Sequence, residues 1–243
     1  RLLIQMDGDT AGAEAQLQFK VDSQDNDSRI KAAIIFRRDD PGTRGTGNLH
    51  FAVNGDNNDV SATTAHSRLT IDSTGAVTMP SQPGFFARGN TSQWLLGSSS
   101  PAWQTLIGGA SNGNGSSIGV NLTEAAHTHL NPYDTGSDFD TGIGRFTAPI
   151  TGKYQVHGTV YATKVGTSAN DYMHLLVYVN AQQINEIYTM GGHGAAFAMD
   201  FHLNFSTILY LEKNDYVEWK VYTTSTNMRI YGDHMSIGAH LLS

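Results

Sequence analysis

The segment from Lys153 to Val160 alternates strictly between two kinds of side chain. Tyr154, Val156, Gly158 and Val160 fall on one side of an extended chain, and Lys153, Gln155, His157 and Thr159 fall on the other. A period of two residues is the pattern of a strand with one buried face. Pro149 and Gly152 come just before it and favour a tight turn, because Pro fixes φ and Gly adopts conformations closed to other residues. The segment therefore predicts a turn that leads into a core strand.

The same period recurs along the rest of the chain, and no window keeps the helical period of 3.6 residues. The longest case places five apolar residues on one face: Phe197, Met199, Phe201, Leu203 and Phe205. A content of 26 Gly and only 15% charged residues also favours a turn-rich β protein. We predict an all-β fold, with a small N-terminal module followed by a sandwich of roughly eight to ten strands.

The segment Met79–Gly84 contains two prolines and a glycine, which interrupt regular structure. We therefore predict two domains: residues 1–80 form a β-rich shaft or connector module, and residues 81–243 form a head. The first module has short apolar runs but too few large apolar residues to close a core of its own. We expect it to be buried against other copies of the same chain.

Charge and composition exclude several classes of function. The net charge is -7 and there is no basic stripe, which argues against a nucleic-acid partner. No apolar run approaches the roughly 18 residues that a membrane span needs, so we predict no membrane insertion. The chain has no cysteine and hence no disulfide, thiolate nucleophile or Cys-ligated zinc.

A set of residues around the predicted core strand resembles a known family. The order Phe139, Gly144, Phe146, Pro149, Gly152 and Tyr154 resembles the signature of the C1q-like jelly roll, in the form found at the ends of bacteriophage tail fibres. Segments 83–88, 211–217 and 238–242 are similar to the first strand, a late turn-and-strand element and the closing strand of that family. Asn214 stands where the family usually has Gly, and Asn also enters the left-handed region. Ser236 replaces a usual aromatic residue.

The resemblance covers residues 83–243 and implies both an assembly and a function. It implies a C1q/TNF-like jelly roll that forms a homotrimer around an apolar axis. Apolar residues on otherwise polar faces are then candidates for the subunit interface: Leu176, Tyr178, Tyr216 and Tyr222. It also implies a structural and adhesive virion protein, the distal part of a phage tail fibre. Such a protein faces the exterior, joins other tail or virion proteins and binds a host surface glycan or protein receptor without catalysis.

Two stretches supply candidate receptor-binding residues. Tyr188, Met190 and His193 lie in YTMGGHG, and Tyr222 and Asn227 lie in VYTTSTN. Amphipathic rings stack on sugars and fill protein pockets at small entropic cost. The alternative is that the three glycines of the first stretch simply build a loop or a bulge.

The pair His127 and His129 is the candidate for a metal site. An H-x-H pair near a three-fold axis would bring six imidazoles together. A single copy in a predicted loop is more typical of a solvated surface pair, so we predict no metal ligands and no cofactor. Calcium or another metal ion held by head loops stays open, with no residues assigned.

Three other functions fit the same sequence. A capsid fibre or decoration protein of a virus would use the same fold, and so would a C1q-like cellular adhesin. A glycan depolymerase would need a carboxylate pair, and Asp138 and Asp140 lie at a spacing of roughly 7 Å in an extended chain. Such pairs are more often solvated turn residues or calcium ligands, so we predict a protein that is not an enzyme.

Overall fold

The computed structural model describes residues 10–20, 29–40, 45–89, 94–96, 102–106, 120–121, 132–164, 172–191, 199–223 and 228–243. These residues confirm the all-β prediction, since their regular structure is β-strand apart from 3-10 conformation at Arg29 and at Thr64–His66. No helix within them is long and apolar enough to cross a membrane. The chain divides into two compact units, residues 1–82 and 83–243, within the segment Met79–Gly84.

The N-terminal unit is one antiparallel sheet, named sheet A, whose strands follow chain order. They are β1 (Glu14–Phe19), β2 (Ala32–Arg38), β3 (Gly47–Val53), β4 (Ser67–Ile71) and β5 (Val77–Thr78). Among the described residues its buried cluster consists of Ala33, Ile35, Ala52 and Ala62, and Ile30 is also buried. Ala62 belongs to the loop after β3, so this small core lies between sheet A and that loop. Three alanines and two isoleucines bury little apolar area, which agrees with the shortage of large apolar residues in the sequence.

The C-terminal unit contains the remaining described strands. They are β6 (Gly84–Gly89), β7 (Trp94–Leu96), β8 (Ala102–Thr105), β9 (Val120–Asn121), β10 (Tyr133–Thr135), β11 (Phe139–Asp140), β12 (Arg145–Thr147), β13 (Gly152–Lys164), β14 (Tyr172–Val179), β15 (Gln182–Gly191), β16 (Met199–Leu211), β17 (Tyr216–Thr223) and β18 (Met228–Leu241). They form two antiparallel sheets. Sheet B has the order β10-β6-β18-β13-β16, and sheet C has the order β11-β12-β17-β14-β15. Strands β7 and β9 extend sheet B, and β8 extends sheet C.

The core of this unit lies between sheets B and C. Along β13, Tyr154, Val156 and Val160 are buried while Lys153 and Gln155 are exposed, so the predicted core strand is confirmed. Aromatic rings from both sheets meet at the centre. The ring of Phe85 lies 4.2 Å from that of Phe139, 5.2 Å from that of Phe146 and 5.5 Å from that of Trp219.

Two turn residues show how local geometry is fixed. Asn214 has a φ of 74°, in the left-handed region expected for an Asn that replaces Gly. At Gly152 the reason for glycine differs from the one predicted. A Cβ there would lie 2.6 Å from Cδ1 of Leu241 and 2.7 Å from the carbonyl oxygen of Ser243. The close approach of the C-terminal strand, rather than an unusual φ, requires glycine at this position.

The Trp219 indole links the two sheets, because its Nε1–H donates to the carbonyl oxygen of His157 at 3.1 Å. We expect Trp219→Phe to lower the free energy of unfolding by about 2 kcal/mol, from the lost hydrogen bond and the smaller ring. Urea unfolding at fixed protein concentration measures this loss. Lys213→Ala, an exposed control, should change stability by less than about 0.5 kcal/mol. Equal losses in both variants would contradict the role of Trp219.

Candidate functional site

The structure places three predicted receptor-binding residues at one end of sheet C. In the β17–β14–β15 part of this sheet, Tyr222 pairs with His174, and His174 pairs with Thr189. Tyr188 and Met190 flank Thr189 in β15 and pair with the core residues Leu175 and Met173, so their register positions alternate with that of Thr189 and belong to the face of sheet C opposite to Tyr222. Since neighbouring strands lie about 4.8 Å apart, their backbone is roughly 10 Å from that of Tyr222. The Tyr222 ring is half-buried and packs edge-on against His174, with centroids 5.7 Å apart.

Other predicted site residues fall outside the described part of the chain. These are His193 and Asn227 of the receptor-binding set, and the histidine pair His127 and His129. Within the described residues, no three His, Asp or Glu side chains are grouped closely enough to hold a metal ion. The receptor set and the metal alternative therefore stay predictions.

The outer face of sheet C carries a network of charges. Glu218 is buried, accepts from Arg145 Nη2 at 2.8 Å and pairs with Lys220 Nζ at 3.1 Å. Burial alone raises the pKa of Glu218, but the hydrogen bonds from Arg145 and Lys220 outweigh it and hold that pKa below its ordinary value. The Arg145 guanidinium also lies 3.9 Å from the ring centroid of Tyr216, and Lys220 Nζ lies 4.4 Å from that of Tyr178. These charges are satisfied within one chain.

Leu176 corrects one expectation about the subunit interface. It lies on β14 and pairs with Lys220 on the charged outer face of sheet C. Its side chain is nevertheless fully buried in the single chain. A residue already covered by its own chain offers no area to a partner, so the prediction that Leu176 lines the interface is wrong.

Sheet B presents a different outer face. Its exposed and half-buried side chains, which alternate with core residues, are mainly aromatic, histidine and small polar: Phe86, Tyr133, Gln155, His157, Thr159, Tyr161, His202, Asn204, Ser206, Ile208, Tyr210, Tyr231, Ser236 and His240. Lys153 lies at one end of this face, Asp200 and Arg229 lie at the other, and Arg88 lies between them opposite Ser236. The sequence pattern alone predicts only a polar face here.

A ring stack occupies part of this face. The rings of His157 and His240 lie 5.4 Å apart and within 12° of parallel, and Phe86 stacks on His157 at 6.3 Å. The Tyr133 hydroxyl bonds to Nε2 of His240. Gly238 makes the stack possible, because a Cβ there would collide with the imidazole of His157. Burial, and then the charge of His240, lowers the pKa of His157, while burial also lowers the pKa of His240.

A second ring cluster surrounds Tyr161 on β13. Its ring lies 4.8 Å from His202, 5.2 Å from Tyr231 and 5.4 Å from His234. Burial, and then Asp200, raises the pKa of Tyr161, so the phenol is neutral at ordinary pH. Together the two clusters make a surface of rings, which is suited to packing against another surface.

The carboxylates near β11 have structural contacts. Asp134 accepts from the backbone amides of Asp138 at 3.0 Å and Phe139 at 3.1 Å, and Asp140 accepts from that of Gly142 at 2.8 Å. Burial, and then the charge of Asp134, raises the pKa of Asp138. Asp134 and Asp140 thus fix turns. The depolymerase alternative stays a prediction, which loss of glycan cleavage in Asp138→Asn would support.

The histidine stack predicts a pH dependence of stability. Because folding lowers the pKa of His157, its contribution is fully present above about pH 6.5 and is lost as the pH falls toward the lowered value. We expect the thermal midpoint to fall between about pH 7.5 and about pH 5.5, and to fall less in His157→Gln. His202→Gln, an exposed histidine on the same face, is the control and should keep the wild-type fall. The same fall in His157→Gln as in wild type would refute this assignment.

Comparisons with known proteins give one limited likeness. A stretch of 131 residues is 30% identical to YqcC, an uncharacterized protein of Bacillus subtilis strain 168. The match covers 51% of this chain and 35% of YqcC, so the chain spans about a third of that relative. No protein-family model matches the chain. Because YqcC is itself uncharacterized, the likeness assigns no activity.

Proposed function

We propose that this chain is the distal part of a phage tail fibre, a virion protein that binds the host cell surface without catalysis. In this proposal residues 83–243 form a C1q/TNF-like jelly-roll head and three chains form a homotrimer. The observation that carries the proposal is the outer face of sheet B. It is broad and rich in rings, it holds only four charged residues among those described (Arg88, Lys153, Asp200 and Arg229), and the described residues of its own chain cover it only in part.

The strand order supports the jelly-roll part of the proposal. Sheets B and C face each other across one core, and most neighbouring strands are not consecutive in the chain. The chain passes from β12 in sheet C to β13 in sheet B and on to β14 in sheet C. It crosses again between β16, β17 and β18. Such crossings between two antiparallel sheets are typical of jelly rolls.

The contrast between the two outer faces supports a subunit contact through sheet B. Charged groups of sheet C are paired within one chain, so burying that face would desolvate ion pairs at a cost. Sheet B instead exposes Ile208 by 61% and Tyr210 by 66%. Apolar and ring surfaces are stabilised by removal from water. Assembly would therefore cover sheet B and leave sheet C at the exterior.

A head of this kind would bind through the end of sheet C that holds Tyr222, beside the edge strand β15 that carries Tyr188 and Met190. His193 and Asn227 follow β15 and β17 in sequence, and both belong to the predicted binding set. Three identical sites held in one rigid trimer act together. Avidity then exceeds the affinity of one site by about two orders of magnitude or more. Weak contacts to a repeated surface glycan would suffice.

The subunit contact is tested by placing a charge on sheet B. We expect wild-type protein to have three times the chain mass of 26.3 kDa in light scattering, and Ile208→Lys to be monomeric. A lysine buried in the interface would lose its hydration without gaining a partner. Ile184→Lys is the matched control, because Ile184 is 47% exposed on β15 of sheet C.

The masses of the wild type and the two variants distinguish three possibilities. A trimeric Ile208→Lys variant with unchanged stability would remove sheet B as the interface. Loss of the trimer in Ile184→Lys alone would assign the interface to sheet C. A monomeric wild-type chain at micromolar concentration would remove the trimer.

Host binding is tested with fluorescently labelled full-length chain on a panel of bacterial cells that includes Bacillus subtilis. We expect Tyr222→Ala to lower cell binding by at least about tenfold, because exposed aromatic anchors dominate binding energies. Tyr216→Ala, on the same strand and face but at its other end, should bind as wild type does. Both variants should remain trimeric.

The same assay separates the alternatives. A trimer that binds none of the cells favours the capsid or decoration role. Release of soluble glycan from the bound cells favours the depolymerase. Binding to animal cells in place of bacteria favours the cellular adhesin.

A further inference from the structure

In a protein that is stable alone, a sheet usually has its apolar face covered and its polar face in solvent. In the described part of sheet A, the apolar face is the more exposed one. Register and alternation place twelve apolar residues on one face, named the apolar face of sheet A: Ala15, Leu17, Phe19, Ala32, Ile34, Phe36, Leu49, Phe51, Val53, Leu69, Ile71 and Val77. This face is bare. Phe19 is 49% exposed, Val53 47% and Val77 56%.

The opposite face is polar, and it is covered at its centre while Gln18 at its edge is exposed. Along β1 it carries a side-chain ladder in which Gln18 donates to Gln16 at 2.8 Å and Gln16 donates to Glu14 at 2.6 Å. The loop between β3 and β4 lies over its centre, where Ala62 packs in the small buried cluster with Ile35. In the described part of the unit, the loop that covers the sheet therefore lies on its polar side.

We infer that the apolar face of sheet A packs against the same face in other copies of this chain. The inference rests on the trimer of the proposed function for the number of copies. A sheet with a core this small is marginal alone, so the bare face must be covered in the stable state. Large uncovered apolar patches on soluble proteins mark such contacts.

Because the twelve residues of this face carry no charge, we infer that the surface packed against it is a second copy of the same face. The twelve residues are all uncharged, and two charges border them: Arg68, whose Nε donates to the carbonyl oxygen of Val53 at 3.3 Å, and Arg38 at one end of β2. Arg38 donates to the carbonyl oxygen of Asp40 at 2.6 Å. An uncharged face is complementary to itself, since two identical copies meet without like charges opposed or unpaired charges buried.

The apolar face of sheet A is too small to hold free chains together, so its contact depends on the head. Five strands about 4.8 Å apart and about five residues long give a face of roughly 20 Å by 17 Å, or about 350 Å². Two such faces bury about 700 Å², below the roughly 1,200 Å² of a stable interface. The contact is therefore too small to hold free chains together. Once the head has joined the chains, the high effective concentration makes it favourable.

Because the chain has no cysteine, a single introduced thiol reports on one face. The variant Val53→Cys places it on the apolar face, and Gln18→Cys is the control on the polar face. In the purified full-length trimer we expect maleimide to label Val53→Cys at least about tenfold more slowly than Gln18→Cys. In urea both should react at the same rate. Circular dichroism and light scattering confirm that each variant is folded and trimeric.

A third variant tests the dependence on the head. The double variant Ile208→Lys with Val53→Cys should be monomeric and should be labelled as fast as the Gln18→Cys control. Equal labelling rates for Val53→Cys and Gln18→Cys in the native trimer would overturn the inference, because the face would be open. Slow labelling that persists in a monomer would also overturn it, because the chain would then cover its own face.

The inference and the proposed function fail separately. A trimer that binds no cells but protects Val53→Cys removes only the host-binding proposal. A trimer that binds cells while Val53→Cys is freely labelled removes only the contact between N-terminal sheets.

Discussion

His157 is held in sheet B by pairing with Ser206 and Gly238, and one hydrogen bond across the core joins it to sheet C. Trp219 of sheet C lies among the rings of Phe85 and Phe146 and donates its indole N–H to the backbone of His157 in sheet B. His157 thus receives a core contact through its carbonyl oxygen and presents its imidazole on the outer face. Packing inside the sandwich therefore sets the position of the ring stack outside it. A shift between sheets B and C would disturb both the packing around Trp219 and the ring stack at His157.

Glycines let each face of β13 approach its neighbours closely. A Cβ at Gly158 would lie 2.6 Å from the Phe205 ring, so this glycine admits a large ring into the core. Gly238 on β18 does the same for the His157 imidazole on the outer face. The result is an outer face with rings that lie along the sheet. Such rings can meet a second surface over a wide area, which is what a subunit contact requires.

Sequence reasoning predicts the strands better than their surroundings. Alternation predicts β13 and its buried face, because that signal is local to the strand. It labels His157, Thr159 and Tyr161 only as polar-side residues, because the rings gathered around them come from β6, β16 and β18. It also predicts that the N-terminal module lacks a core, but not that its loop covers the polar face, since register between strands is a long-range property. The prediction that Leu176 lines the subunit interface is wrong for the same reason, since residues of its own chain cover it.

The outer face of sheet B and the apolar face of sheet A differ in chemistry, and in the proposed trimer that difference would decide which of them assembles first. The face of sheet B carries imidazoles and phenols with hydrogen-bonding atoms, so it tolerates water and lets a free chain remain in solution. The apolar face of sheet A has no such groups, and its exposure in a free chain invites aggregation. A chain with both is safest when the head joins its partners first. Sheet A, whose contact is weaker and less selective, would then meet only chains that are already joined through their heads.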